Sequence, residues 1–217
     1  MSTADLPVIR SASRRLGDEH GMTLVELVVA MMILSIVMLV MTTTLSSIQR
    51  AVVEEDVRTR LNDQARLAVQ SIDRLVRSGN ILYDPVNESG NDPYGAATGY
   101  MFRIYTQAEQ TAGQSARCAI WLLNDQQQLL YRTWPILEPE NASDWQVVAD
   151  SVVNRNLGNP AFSLDAAGRT IAVNFYINPD LAHRPQATQV VSASLTGRNT
   201  SFGYPVQLCA TLPSPLI

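Results

Sequence analysis

The chain has 217 residues, with 20 acidic and 16 basic side chains and a formal net charge of −4. All sixteen basic residues are arginine, and the excess negative charge falls on residues 81–217, which hold eleven acids and seven arginines. Such an acidic part suits the phosphate backbone poorly, so we do not expect nucleic acid as a partner. The length allows one long helix and one globular domain.

The N-terminal third contains a long uncharged run. Between Gly21 and Gln49 the only charged side chain is Glu26. Residues 27–48 are long enough to cross a bilayer, which takes roughly 20 apolar residues. A carboxylate in such a segment is costly, up to about 2.5–3.5 kcal/mol at the helix centre. Its presence therefore indicates that Glu26 has a partner charge.

The segment from Gly21 to Glu26 reads Gly-Met-Thr-Leu-Val-Glu. It resembles the class III signal of type IV prepilins and type II secretion pseudopilins. The resemblance implies that a prepilin peptidase in the membrane cuts after Gly21 and methylates the new N-terminus at Met22. It also implies that Glu26 pairs with the free amine of a neighbouring subunit during filament assembly. Opposite charges attract strongly in a low-dielectric setting, so this pair can fix the register between subunits.

Residues 1–21 are then expected to be the leader peptide. The leader carries three arginines, as the positive-inside rule requires: Arg10, Arg14 and Arg15. It departs from the family pattern just before the cut site, where many prepilins have Lys or Arg but this chain has Asp18, Glu19 and His20. A plain signal anchor is the alternative interpretation. A secretory signal peptide fits less well, because the small residue precedes the apolar run.

The apolar run predicts a helix over residues 22–77 with two halves. Residues 22–48 form the transmembrane and assembly half, and residues 49–80 form an amphipathic half that ends at the stop signal Ser78-Gly79-Asn80. Three acid-first i,i+4 pairs support the second half: Glu54–Arg58, Asp56–Arg60 and Asp73–Arg77. Its apolar stripe consists of Val53, Val57, Leu61, Ala65, Ala68, Ile72, Leu75 and Val76. We expect this stripe to pack on the chain's own sheet; a coiled coil or a partner helix are the alternatives.

Residues 81–217 are expected to form an extracytoplasmic head built on one antiparallel sheet. Strand patterns occupy residues 100–106, 117–123, 129–134, 146–153, 161–164, 170–177 and 188–195, although 146–153 also suits a short helix. Residues 124–127 read as a hairpin turn between two of these strands. The predicted fold class is therefore α+β, a long N-terminal helix packed on an antiparallel sheet, as in the pilin family.

The head offers few sites for chemistry. Cys118 and Cys209 are expected to form a disulfide if the head is exported, and two buried thiols are the alternative. The oxygen-rich loop 83–99 raises calcium as an alternative, but it lacks the EF-hand spacing, and we expect no metal and no cofactor. No catalytic motif is present, so we do not expect an enzyme.

Short segments of the head are similar to minor subunits of the J and W types. They include Leu130-Tyr131-Arg132, residues 148–152, Phe162 and Arg198-Asn199. The resemblance implies a minor pilin or pseudopilin at the tip or initiation complex of a type IV pilus or type II secretion pseudopilus. Its partners would be prepilin peptidase, other pilin subunits, the inner-membrane assembly platform and the lipid bilayer. An adhesive or DNA-uptake pilin, with Trp121, Trp134 and Trp145 as a ligand platform, is the alternative.

Overall fold

A computed structural model describes residues 22–95, 97–107, 116–136, 138–198 and 205–214. The predicted leader, including Gly21, and Asn199 lie outside the described residues. The chain divides into two compact units at the Ala51–Val52 bond, and each is treated on its own below.

The first unit is the N-terminal part of helix α1, which runs from Leu24 to Ser78. The large apolar side chains between Leu24 and Ile48 are exposed on every face of this part. Such an all-round apolar surface is what lipid or a filament core requires. The helix is long and apolar enough to cross a membrane.

The second unit contains the rest of α1 and the head. All three predicted ion pairs form along the helix, with N–O distances of 2.7, 2.5 and 2.7 Å. The apolar stripe is buried against the head at Ala65, Ala68, Ile72, Leu75 and Val76. Val53 and Val57 remain exposed, so the packing prediction is confirmed only for the C-terminal part of the stripe.

The head contains two antiparallel sheets rather than the predicted one. The five strands of the first sheet follow in chain order: β1 Gly79–Leu82, β2 Met101–Thr106, β3 Arg117–Leu123, β4 Leu129–Pro135 and β5 Gln146–Ala149. The second sheet has β6 Phe162–Leu164, β7 Thr170–Ile177 and β8 Gln189–Thr196 in that order.

The chain leaves the first sheet at Ser151. This residue has a φ of +58°, and the short helix α2 follows at Asn154–Leu157. Within the described residues, one isolated antiparallel bridge, between Val152 and Ile177, connects this segment to the second sheet. The predicted strand 146–153 therefore stops at Ala149, because a left-handed residue ends the extended backbone.

Strand β1 was missed by the sequence patterns. Gly79 and Asn80 read as a helix stop, and both residue types are depleted in strands. The helix does end at Ser78, but β1 begins at the next residue and pairs with β2. The head thus starts at Gly79, two residues before the predicted boundary.

Two apolar clusters lie on opposite faces of the first sheet. The larger one joins α1 to both sheets and includes Phe102 stacked on Trp121 with ring centroids 5.7 Å apart. The smaller one holds Tyr105, Trp134 and the two cysteines on the other face. Because both faces are covered, every residue of β2 is buried, unlike the alternation of a half-exposed strand.

Candidate functional site

The first turn of α1 is capped by Thr23. The backbone N–H of Glu26 donates to the Thr23 hydroxyl at 3.3 Å, and that of Leu27 donates to the Thr23 carbonyl at 3.1 Å. Thr followed three residues later by Glu is the capping-box spacing. The sequence prediction placed the helix start at Met22 and overlooked this cap, although the two residues carry its signal.

The cap separates Met22 from the helix. Met22 lies before the first helical residue and is exposed, whereas Glu26 lies in the first turn. A carboxylate is favourable at this end of a helix because it faces the positive end of the helix dipole. The two residues predicted to carry the amine and the acid therefore lie four positions apart at one helix end.

Six hydroxyl side chains in the apolar part of α1 form hydrogen bonds within the helix itself. Hydroxyl groups donate to backbone carbonyls three or four residues earlier at Ser35, Thr42, Thr43, Thr44, Ser46 and Ser47. Polar groups without partners are costly in lipid, and these bonds remove that cost. Glu26 is different: within residues 22–49 it carries the only charge, and the described residues supply no ion pair for it.

A family model, the prokaryotic N-terminal methylation motif, matches residues 17–42. This match indicates a type IV pilin-like protein. The comparisons with curated proteins and with solved structures find no match.

The matched segment contains Gly21, Met22 and Glu26, together with most of the apolar half of α1. For a pilin-like protein it implies processing by prepilin peptidase, methylation and assembly with other pilins. It also suggests a structural rather than an enzymatic role, and the apolar helix suggests single-pass anchoring in a membrane.

The head contains a disulfide between Cys118 of β3 and Cys209, with the two Cα atoms 5.8 Å apart. Both residues are buried in the smaller apolar cluster. The N–H of Cys209 donates to the Tyr83 hydroxyl at 3.1 Å. Burial raises the pKa of this hydroxyl, although the hydrogen bond from Cys209 works in the opposite direction. The bridge fastens residues 205–214 to the outer face of the first sheet.

Two arginines from outside the loop 83–99 form ion pairs with acids of this loop, the predicted alternative calcium site. Arg103 Nη2 donates to Glu88 at 2.6 Å, and Arg155 Nη2 donates to Asp92 at 2.5 Å. Each guanidinium also lies over a tyrosine ring, Arg103 over Tyr83 at 4.3 Å and Arg155 over Tyr100 at 4.6 Å. The sequence offers five oxygen side chains in this loop as candidate calcium ligands, namely Asp84, Asn87, Glu88, Asn91 and Asp92. Two of these five, Glu88 and Asp92, are already bound by arginine.

Across the part of the chain that the structure describes, no three His, Cys, Asp or Glu side chains form a group that could hold a metal ion. Sequence patterns could not reveal the two arginine pairs, because their partners lie 15 and 63 residues apart.

The tryptophan platform considered for an adhesive pilin is not formed. Trp121 and Trp134 are buried in the two apolar clusters, with 0% and 1% of their surfaces exposed. Trp145 is half-buried, and the Arg132 guanidinium lies 5.7 Å from its ring centroid. The first two rings cannot reach a ligand, so the three residues do not share a binding surface.

A loop after β7 is attached to α1 near the start of the second unit. Arg184 forms an ion pair with Glu54, which also accepts from Arg58 at 2.7 Å. The hydrogen bond from Arg184 lowers the pKa of Glu54. Farther along the helix, Asn62 contacts Gln189 at the start of β8. These contacts hold the second sheet beside the helix.

Proposed function

We propose that this chain is a minor subunit of a type IV pilus or a type II secretion pseudopilus. The observation that carries the proposal is the methylation motif on a helix that exposes its apolar surface and holds one carboxylate, Glu26, without an ion-pair partner among the described residues. Prepilin peptidase would cut after Gly21 and methylate the new amine of Met22. Residues 22–48 would stay in the inner membrane until the assembly platform moves the subunit into a filament.

Glu26 would act in assembly as the acceptor of a neighbouring subunit's amine. Its charge lies in the first turn of a helix that has no other charge up to Gln49. A lone charge is penalised in an apolar medium, and pairing with an amine offsets that penalty. Only one alignment of neighbouring helices brings the two groups together, so the pair would select the register.

The head, residues 81–217 by the sequence prediction, would lie outside the inner membrane. A disulfide between Cys118 and Cys209 is compatible with such an oxidising location. The place at a tip or initiation complex is supported by the likeness to J-type and W-type minor subunits. The residues that carry the likeness lie in β4 at Leu130-Tyr131-Arg132 and in β6 at Phe162.

Quantitative mass spectrometry of filaments sheared from the native cells tests this proposal. We expect a methylated N-terminal peptide beginning at Met22, at a low ratio to the most abundant pilin. A ratio near that of the most abundant pilin would contradict the minor role while keeping the pilin assignment. An unprocessed chain that starts before Gly21 would contradict both.

The Gly21→Leu variant supplies the matched control. A bulky residue would not fit a peptidase pocket shaped for glycine, so the leader should stay attached and Met22 should stay unmethylated. An unchanged mature mass in this variant would refute the cut site.

A further inference from the structure

Strand β8 is an edge strand of the second sheet. It pairs with β7 over eight consecutive residues without a bulge, and among the described residues no strand pairs with its other side. Its sequence Gln-Val-Val-Ser-Ala-Ser-Leu-Thr contains no charge and no proline. Natural proteins usually protect such edges with charges, prolines or bulges, because a free edge pairs readily with another strand.

The direction of the free backbone groups follows from the ladder. Gly197 donates its N–H to Arg169 at 2.8 Å, next to the pair Thr196–Thr170. Because hydrogen-bonded and non-hydrogen-bonded pairs alternate in antiparallel strands, every second residue of β8 directs its N–H and C=O away from β7. These residues are Val190, Ser192, Ser194 and Thr196, and all four are exposed.

Arginine side chains lie near both ends of this edge, and one acid, Asp165, lies at the Gly197 end, where it accepts the backbone N–H of Arg169 at 2.8 Å. Arg66 of α1 lines a groove of about 390 Å³ together with Val190 and Ser192. Arg169 and Arg198 lie at the other end, beside Gly197. All three arginines are exposed, and in the described ranges none of them has an ion-pair partner. The two ends are about 20 Å apart, because they are separated by roughly six extended residues.

The β5 edge of the first sheet is flanked by side chains of the opposite charge. β5 and β1 are the two terminal strands of that sheet. β5 pairs with β4 across a register shift between Leu129 and Leu130, and 50% of Val147 is exposed. Asp144 and Asp150 flank β5, six residues or at most about 20 Å apart, and the preceding turn adds Glu138 and Glu140. No ion pair reaches any of these four carboxylates within the described part of the chain.

We propose that the β8 edge of one copy of this chain pairs with the β5 edge of a second copy. The spacing and sign of the flanking charges match between these two edges, and strand addition supplies the main-chain hydrogen bonds. Two-fold pairing of β8 with itself would bring Arg66 against Arg169 and Arg198, and two-fold pairing of β5 would bring Asp144 against Asp150. Both arrangements place like charges together, whereas β8 with β5 places opposite charges together.

Contact between two different edges leaves one edge open on each copy. Such heterologous contacts can be repeated from copy to copy, and a minor subunit at low copy number would form a run of only a few copies. The inference rests on the proposed filament function for its biological setting. It adds that at least two copies of this chain are neighbours, in contact through their heads.

Cross-linking of the full-length chain in native cells tests the pairing. Two differently tagged copies, one with Ser194→Cys and one with Val147→Cys, are treated with a short bismaleimide. We expect a mixed dimer that contains both tags and no dimer when either variant is expressed alone. Cys118 and Cys209 do not interfere, because they are bonded to each other and buried. A homodimer of the Ser194→Cys chain, or no dimer at all, would overturn the proposal.

Charge exchange gives a second criterion and reports the strand direction. Arg66→Glu should reduce the mixed dimer at least several-fold. A compensating Asp144→Arg on the other copy should restore it if the strands are parallel, and Asp150→Arg should restore it if they are antiparallel. Failure of both exchanges to restore the dimer would contradict the charge-matched register.

Proline substitution separates docking from folding. Ser192→Pro removes an N–H that points away from β7, so the head should fold while the mixed dimer is lost. Val191→Pro removes an N–H that bonds to β7 and should lower the folding stability itself. Equal destabilisation by both variants would show that the outer edge of β8 is not free.

The same samples are scored for a methylated Met22 and for presence in sheared filaments. A processed chain found in filaments without the mixed dimer would contradict this inference and leave the proposed function standing. A mixed dimer formed by an unprocessed chain would support this inference and contradict the proposed function.

Discussion

Arg103 and Glu88 form an ion pair inside the head, with 7% and 3% of their side chains exposed and an N–O distance of 2.6 Å. Arg103 also donates to the Cys209 carbonyl at 2.5 Å, so one guanidinium joins β2, the loop after β1 and the disulfide-bonded tail. No local pattern marks Arg103 as structural, because Glu88 and Cys209 lie 15 and 106 residues away along the chain.

Removing the acid from this pair should destabilise the head strongly. Glu88→Ala leaves the Arg103 charge buried without its counter-ion, and breaking a buried pair in this way costs about 3–5 kcal/mol. Urea unfolding of the detergent-solubilised full chain, followed by the fluorescence of buried Trp121 and Trp134, measures the loss. The control is Asp56→Asn, which breaks an exposed i,i+4 pair and should leave the midpoint nearly unchanged.

The disulfide should contribute a similar amount. The cysteines are 91 residues apart, and the chain-entropy model gives roughly 4–5 kcal/mol for closing a loop of that length. Cys118→Ser should therefore lower the urea midpoint in oxidised samples and have a much smaller effect after both proteins are reduced. Labelling of both thiols in the exported, unreduced protein would show that the bridge does not form in the cell.

Glu26 should matter for assembly and not for insertion. Glu26→Gln removes the charge but keeps the size, so the helix should still enter the membrane, while the subunit loses its partner for the neighbouring amine. Membrane fractionation and counts of the chain in sheared filaments separate the two effects. Thr23→Ala, which removes the helix cap without removing the charge, is the matched control. Normal filament incorporation of Glu26→Gln would remove Glu26 from the assigned role.

Acidification should weaken the attachment of the β7–β8 loop to the helix. The pKa of Glu54 is lowered mainly by the hydrogen bond from Arg184, so the stabilisation is present above the ordinary carboxyl pKa and is lost as pH falls through the lowered value. Arg184→Gln should therefore lower the unfolding midpoint at pH 7, with a difference that shrinks towards pH 3. Arg74→Gln, an exposed helix position, serves as the control. A difference that stays constant with pH would show that Arg184 acts through packing.

Local periodicity accounts for most of what the sequence could predict. The long helix, its three ion pairs and the hairpin between β3 and β4 all follow from residues a few positions apart. The split into two sheets depends on the left-handed backbone conformation of Ser151, and no glycine marks this position in the sequence. The arginine pairs depend on contacts between distant segments. Strand β1 forms although its residues Gly79 and Asn80 disfavour a strand, because pairing with β2 stabilises it.

The candidate site divides in the same way. Glu26 stands out in the sequence because a charge in an apolar run is visible without a structure. The free edge of β8 is not visible there, because its sequence has the same alternation as an internal strand. Only the strand order shows that its outer backbone groups have no partner among the described residues.

Strand β1 begins at the residue after α1 ends, so no flexible linker separates the helix from the first sheet. A pulling force on the helix therefore acts on the hydrogen bonds between β1 and β2 without first extending a linker. The Cys118–Cys209 bridge keeps the enclosed loop from lengthening the chain under load. Mechanical extension of the head is thus confined to the segment between β1 and Cys118 and to the residues after Cys209.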